Sequence, residues 1–303
     1  MLDKVEIVEV SPRDGIQNEP TILTTEEKVE LVSRAVASGI KRLEVTSFVN
    51  PERVPQMADA DAVAAALPQN SSVRYIGLAL NRQGFERARA ARLHEVTYVV
   101  VASDTFSQRN QGVTEQQGID NWIEVATEAR GDLPVGVIVA ASFGCPFEGE
   151  VSLDHLLNLV EACMKSNPIE IGLADTIGVA TPKDIHERVG AVRDAFPEVP
   201  IRLHLHDTRN TGIANAWAGI EAGVSSLDSS MGGVGGCPFA PKATGNIATE
   251  DLLYLLDRSG IKTGVSMQAC IDTAQWLEQR LGKSSPGLLM KAGGFPTASA
   301  NAS

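Results

Sequence analysis

The chain has 303 residues, with 26 Lys and Arg against 38 Asp and Glu, giving a formal net charge of −12. That balance excludes a general role in gripping nucleic acid or an anionic membrane, which needs a surplus of Lys and Arg. At 43% hydrophobic residues, a chain of this length can bury a substantial core without disulfide staples. The four cysteines, Cys145, Cys163, Cys237 and Cys270, are widely spaced and form no CxxC pair, so reduced thiols are expected. The first residues enter a strand pattern at once, with no signal, transit or membrane-spanning segment, and a cytoplasmic protein is expected.

In chain order, the apolar β-branched run over 5–10 (VEIVEV) comes first. A helical pattern over 24–39 follows, with Thr at the N-cap, acids in the first turn and Gly39 at its end. Further strand runs occupy 42–48, 73–80, 95–103, 135–142, 169–175, 201–207 and 224–230. Helical patterns over 50–67, 81–93, 118–131, 152–166, 181–196, 211–223 and 248–260 follow them. Strands each followed by a helix, without a linker, predict one α/β domain, a (β/α)8 TIM barrel over about residues 4–262. The near-continuous apolar strands fit a sheet buried on both faces. An open doubly wound sheet is the alternative, but no G-x-G-x-x-G follows the first strand, which disfavours its dinucleotide-binding form. Residues from about 263 to 303 are expected to add a C-terminal helical segment and a mobile tail.

Chemistry in such a barrel sits at the C-terminal ends of the strands. The first strand leads into Arg13–Asp14, either a turn salt bridge or an anion clamp beside a metal-binding carboxylate. The second carries Glu44, which is costly to bury unless paired or coordinating. The sixth ends at Asp175, a residue type that often caps the following turn. The seventh holds His204 and His206. Two positions apart in a strand, both imidazoles point to one face, and with Asp207 next to them they favour a metal site over satisfied core histidines. After the eighth strand, five glycines fall between 232 and 245, with Cys237 among them and Asn246 just beyond. A cysteine in such a loop at the catalytic face reads as reactive rather than structural.

Asp14, His204, His206 and Asn246 together offer two nitrogen and two oxygen donors. Mixed ligation without a thiolate suits Mg2+ or Mn2+ better than a closed zinc site. A bound divalent cation would also let an acidic protein hold an anionic substrate. None of the eight strand runs contains a lysine, which argues against a Schiff-base aldolase.

The segments VEVSPRDGIQNE, EVTSFVNPERVPQMADA, ASFGCPFEGE, LADTIGVATP, HLHDT and GGVGGCPFAPKATGNIATED occur in this order. Over residues 5 to about 265 the chain resembles the 3-hydroxy-3-methylglutaryl-CoA lyase family, metal-dependent barrel enzymes related to the isopropylmalate synthases. The resemblance implies a lyase that cleaves hydroxymethylglutaryl-CoA to acetyl-CoA and acetoacetate by a retro-Claisen step, as in leucine breakdown and ketone-body formation. It implies Asp14, His204, His206 and Asn246 as ligands of Mg2+ or Mn2+, with Glu250 supporting the metal site. Arg13 corresponds to the residue that stabilises the enolate oxygen and Cys237 to the general acid. Asp175 and Glu44 fall at acidic positions important for catalysis, and His204 or Asp175 is the expected base. Arg13, Gln17, Asn110 and Gly236 are expected to contact the acyl-CoA, and a homodimer is expected.

The chain departs from the animal members in three places. RNTG follows the histidines instead of the YGQALAN type, Pro20 follows Glu19 where those enzymes carry Lys, and no terminal Cys-Lys-Leu is present. The acyl group is therefore left open. A larger 3-alkyl homologue, such as the isohexenyl one, is an alternative substrate, and a 2-oxo acid/acetyl-CoA condensing synthase an alternative reaction.

Overall fold

A computed structural model of the chain describes residues 4–68, 72–236 and 245–296. Eight parallel strands close into a barrel in sequence order: β1 (Glu6–Glu9), β2 (Arg42–Ser47), β3 (Arg74–Ala79), β4 (Glu95–Val101), β5 (Val135–Ala140), β6 (Ile171–Asp175), β7 (Ile201–Leu205) and β8 (Ser226–Ser229). β1 pairs with both β2 and β8, so no strand edge is left open. The helices are α1 (Thr25–Ala37), α2 (Ala60–Ala65), α3 (Arg82–Ala90), α4 (Asp104–Gln111), α5 (Glu115–Glu128), α6 (Leu153–Met164), α7 (Pro182–Ala195), α8 (Gly212–Ala222), α9 (Thr249–Arg258), α10 (Met267–Leu281) and α11 (Leu289–Ala292).

Local chemistry sets the helix ends. Thr24 accepts from the Glu27 amide while the Glu27 carboxylate accepts from the Thr24 amide, a reciprocal cap on α1. Leu31, Val32 and Ala35 then form the face that α1 buries, and each large apolar side chain so buried contributes roughly 1.5–3 kcal/mol. The expected helix over 50–67 is cut to α2, because Pro51 and Pro55 lack an amide donor and disfavour helix in the residue before them. Conversely, α4 forms where no helix was expected. Its sequence DTFSQRNQ has little apolar periodicity, but Ser103 caps its start and Gly112, at φ +77°, ends it.

Residues in register on neighbouring strands share a face, which divides the barrel interior into two sectors. On β3 to β6, Leu78 is level with Thr97, Ile138 with Gly172, and Ala174 with His204. Leu78, Val99, Ile138, Ala140 and Ala174 make one wall of the mouth apolar. The remainder of the interior carries charge. Three buried guanidiniums, Arg13, Arg42 and Arg202, meet five carboxylates, Asp14, Glu44, Glu95, Glu170 and Asp228. The half-exposed Arg74 at the rim pairs with Glu6 at 2.6 Å and with Glu95 at 3.0 Å.

The C-terminal segment beyond α9 packs under the loop that follows β8. Gly287 donates to the Gly232 carbonyl at 2.9 Å, and Lys283 pairs with Glu19 at 2.6 Å. The last residues of the expected tail lie outside the described residues.

Candidate active site

The chain leaving β1 makes one wide helical turn over Ser11–Gly15, in which the Gly15 amide reaches back to the Val10 carbonyl at 3.1 Å. Such turns recur at functional sites. This one brings Arg13 and Asp14 to the barrel mouth. Gly15 is required there, because a Cβ would lie 2.7 Å from Ser230 Oγ and 2.9 Å from Val234 Cγ2.

Asp14, His204 and His206 converge as the alternation of β7 requires. The two Nε2 atoms are 3.1 Å apart, and Asp14 Oδ2 is 3.9 Å from each. Donors occupying adjacent positions around a cation with bonds of about 2.1 Å are spaced by about 3 Å, so the cluster has the dimensions of a metal centre. Asn246 reaches it through a strand-like bridge to His206. Its amide nitrogen donates to Asp14 Oδ2 at 2.8 Å and to the Val234 carbonyl at 3.1 Å. Gly235, at φ +132°, leaves room for this amide; a Cβ there would stand 2.5 Å from the Asn246 nitrogen.

Burial alone would raise the Asp14 carboxyl, yet Arg13 and the two histidines hold it well below the usual carboxylate range. Burial and the neighbouring His204 push His206 down to about 4, so it is neutral at physiological pH. His204 is shifted upward: burial opposes this, but Asp228 and Asp14 outweigh it. His204 Nδ1 lies 3.0 Å from Asp228 Oδ2, and with the ring proton there Nε2 turns its lone pair to the cluster.

The residues present fit a divalent cation on two grounds. Among the described residues, His206 Nδ1 and Asn246 Oδ1 are buried without a hydrogen-bond partner. A half-turn of the Asn246 amide would bring Oδ1 to Asp14, an arrangement tolerable only with a cation between two oxygens.

The other expected residues are distributed around this centre. Glu44, 1% exposed, lies behind Arg13 and grips its guanidinium, so the costly strand carboxylate is paired. Arg13 also reaches Asp14 at 2.5 Å. Gln17, Asn110 and Gly236 line the same cavity of about 420 Å³ as Arg13, Asp14 and both histidines. Gln17 accepts from Ser47, and the Gly236 carbonyl accepts from Asn18 at 2.8 Å. Asp175 stands at the end of β6 with its two oxygens accepting the Val179 and Ala180 amides, at 2.9 and 3.0 Å. Burial raises its carboxyl against those two bonds, and it lies near enough for His204 to act on it. Cys237 lies outside the described residues.

Glu250 meets the loop after β8. Its position on α9 carries it to the root of the glycine-rich loop, where Oε2 accepts the Gly232 amide at 3.0 Å. Burial pushes its carboxyl up to about 8. The unfolded chain releases this proton near its ordinary value of 4.5 and the folded one near 8. Wild-type stability therefore falls as pH rises between those values, by about 1.4 kcal/mol per pH unit. Glu250→Gln removes the titration, and its melting-temperature advantage over wild type is expected to widen from pH 5 to pH 8. An unchanged difference across that range would rule this out.

Sequence reading missed Asp228 and Arg202. Asp228 sits in the short strand SLDS, where an acid reads as an edge residue. The available signal was a charged residue inside a buried parallel strand, the same signal that marked Glu44.

A parallel barrel with this cluster and guanidinium at its C-terminal mouth has the parts of a carbon–carbon lyase. The chain belongs to the HMGL-like family, whose model matches residues 4–277. It is 42% identical to the (R)-citramalyl-CoA lyase of Chloroflexus aurantiacus, over 96% of both chains. It is 38% identical to the 3-hydroxy-3-isohexenylglutaryl-CoA/hydroxymethylglutaryl-CoA lyase of Pseudomonas aeruginosa, over 95% of this chain and 97% of that one. The HMG-CoA lyase of Acinetobacter baumannii, solved with coenzyme A and 3-methylmalate, superposes with a TM-score of 0.93 at 37% identity, covering 97% of this chain and 98% of that one. Among the described residues, no helix is long and apolar enough to cross a membrane.

Proposed function

We propose that the protein is a divalent-metal-dependent lyase that cleaves 3-hydroxy-3-methylglutaryl-CoA to acetyl-CoA and acetoacetate. The observation that carries this reading is the convergence of Asp14, His204 and His206 beside Arg13, opposite an apolar wall. Asp14, His204, His206 and Asn246 would hold Mg2+ or Mn2+, which supplies Lewis-acid polarisation of substrate oxygens and charge neutralisation. The chain's own groups do the rest. The apolar wall of Leu78, Val99, Ile138 and Ala174 takes the 3-methyl substituent and keeps water away.

The tertiary hydroxyl loses its proton to Asp175, since both ring nitrogens of His204 are committed, Nδ1 to Asp228 and Nε2 to the cation. The Cα–Cβ bond breaks as that oxygen becomes the ketone of acetoacetate, and the bonding pair passes into the thioester as an enolate. Arg13, locked by Glu44 and Asp14, presents fixed donors to the enolate oxygen. The Cys237 thiol is the proposed proton donor to the enolate carbon, which completes acetyl-CoA and balances the proton taken at the start. Cys237→Ala is then expected to bind substrate but lose most turnover.

A second substrate is favoured by one observation, the 42% identity to a citramalyl-CoA lyase. Citramalyl-CoA has the same tertiary alcohol, methyl and thioester, with an acid arm one methylene shorter. A single methylene discriminates by only about 10- to 200-fold, so both compounds are expected to react at measurable rates. The deciding experiment is acetyl-CoA release from hydroxymethylglutaryl-CoA, citramalyl-CoA and the isohexenyl homologue, with and without EDTA. Hydroxymethylglutaryl-CoA is expected to show the highest kcat/KM, abolished by EDTA. A higher value for citramalyl-CoA would transfer the assignment to it, and EDTA-insensitive turnover would sink the metal-dependent reading.

A further inference from the structure

Arg202 lies two positions before His204 on β7, and the strand alternation turns both into the barrel. It is 1% exposed, and no step above uses it. A guanidinium this deeply buried is costly unless its donors are met. Here Nε donates to Asp228 Oδ1 at 2.5 Å, Nη2 lies 3.4 Å from Glu44 Oε2, and Nη1 lies 3.4 Å from both Glu170 Oε1 and Thr97 Oγ1. One planar fork thus reaches β8, β2, the start of β6 and β4.

Two of those partners bear directly on the site. Asp228 spends its other oxygen on His204 Nδ1, and Glu44 spends its other oxygen on Arg13. We propose that Arg202 is a positioning residue that aims His204 and Arg13 at the same time, and thereby sets both the cation affinity and the turnover of the site. The proposal rests on the reading of Asp14, His204 and His206 as cation ligands. Without the fork, Asp228 and Glu44 are buried carboxylates with no shared counter-charge, and each is free to rotate away from the group it holds. Outer partners of this kind fix the ring orientation of a ligand histidine, and their loss typically costs 10- to 100-fold in metal affinity or activity. Lysine keeps the charge but, as a point donor, cannot span four strands.

The test compares Arg202→Lys with Arg188→Lys. Arg188 is a second buried arginine, but it donates to the Ser142 and Val151 carbonyls, away from the cation cluster. For each protein, Mn2+ binding to the metal-free form is measured by calorimetry, together with melting temperature, kcat and KM. Arg202→Lys is expected to weaken Mn2+ binding about 10- to 100-fold and lower kcat by a similar factor, with KM nearly unchanged. Arg188→Lys is expected to lower the melting temperature while keeping wild-type Mn2+ affinity. Wild-type Mn2+ affinity and kcat in Arg202→Lys would overturn the proposal, as would an equal loss of Mn2+ binding in Arg188→Lys. If Arg202→Lys does not fold, Asp228→Asn carries the same expectation, and wild-type Mn2+ affinity there overturns it. Failure of the wild-type protein to bind Mn2+ would instead overturn the cation reading itself.

Discussion

His206→Ala is expected to lower kcat by about 100-fold or more, at or beyond the upper end of the loss typical for an outer partner of a metal ligand, and to reduce Mn2+ binding in step, while the protein stays folded. Among the four expected ligands, His206 is the one that separates cation binding from folding. Asp14 anchors both Arg13 and Asn246, and His204 is tied to Asp228. Removing either would therefore disturb its neighbours. The His206 ring, by contrast, has Nδ1 unpartnered among the described residues and Nε2 facing only the cluster. Its loss strands no donor elsewhere, so the stability cost is the cavity alone, about 2–5 kcal/mol for a buried side chain of this size. Calorimetric titration and acetyl-CoA release on one preparation would check this. Retention of wild-type Mn2+ affinity would remove His206 from the ligand set.

Arg13→Lys should show a different pattern. The substitution keeps the positive charge beside Asp14 and Glu44, so Mn2+ binding is expected to stay near the wild-type value. It removes the planar fork that faces the enolate oxygen. Loss of one such preorganised donor typically costs about 10²- to 10³-fold in kcat, and that is the expected drop, with KM little changed. Concurrent loss of Mn2+ binding would mean that Arg13 builds the cation site rather than the oxyanion contact.

The barrel was legible in the sequence because each parallel strand is buried on both faces and stands out as a continuous apolar run, such as EVTYVVV or VGVIVA. Helices were legible where a cap and an amphipathic face coincided, as in α1. α4 was not, since its boundaries depend on Ser103 and Gly112 rather than on any apolar stripe. At the site, Asp14, His204 and His206 were legible because period-2 geometry and strand-end position act over a few residues. Asn246 could be proposed from the loop, but its approach to Asp14 depends on a pairing across 232 residues. Arg202 and Asp228 were hidden for a related reason. In composition a buried arginine looks like a surface one, and only the closed barrel shows that four strands surround it. Glu250, four positions after Asn246, was expected to support the metal site; in the first turn of α9 it accepts the Gly232 amide.

The pairing of β1 with β8 has a consequence for how the molecule comes into being. Ile7 and Leu227 become neighbours, as do Glu9 and the Met231 amide, 222 residues apart. Contacts so distant along the chain form slowly, because loop closure must precede any gain from pairing. As the chain emerges from a ribosome, β1 waits with one edge bare until the last strand arrives, and an incomplete barrel presents that edge for pairing with other chains. Arg13 and Asp14 follow the first strand, the histidines stand at the end of the seventh and Asn246 lies beyond the eighth. The active site is thus among the last parts of the molecule to exist, and no fragment that stops short of Asn246 contains the whole of it.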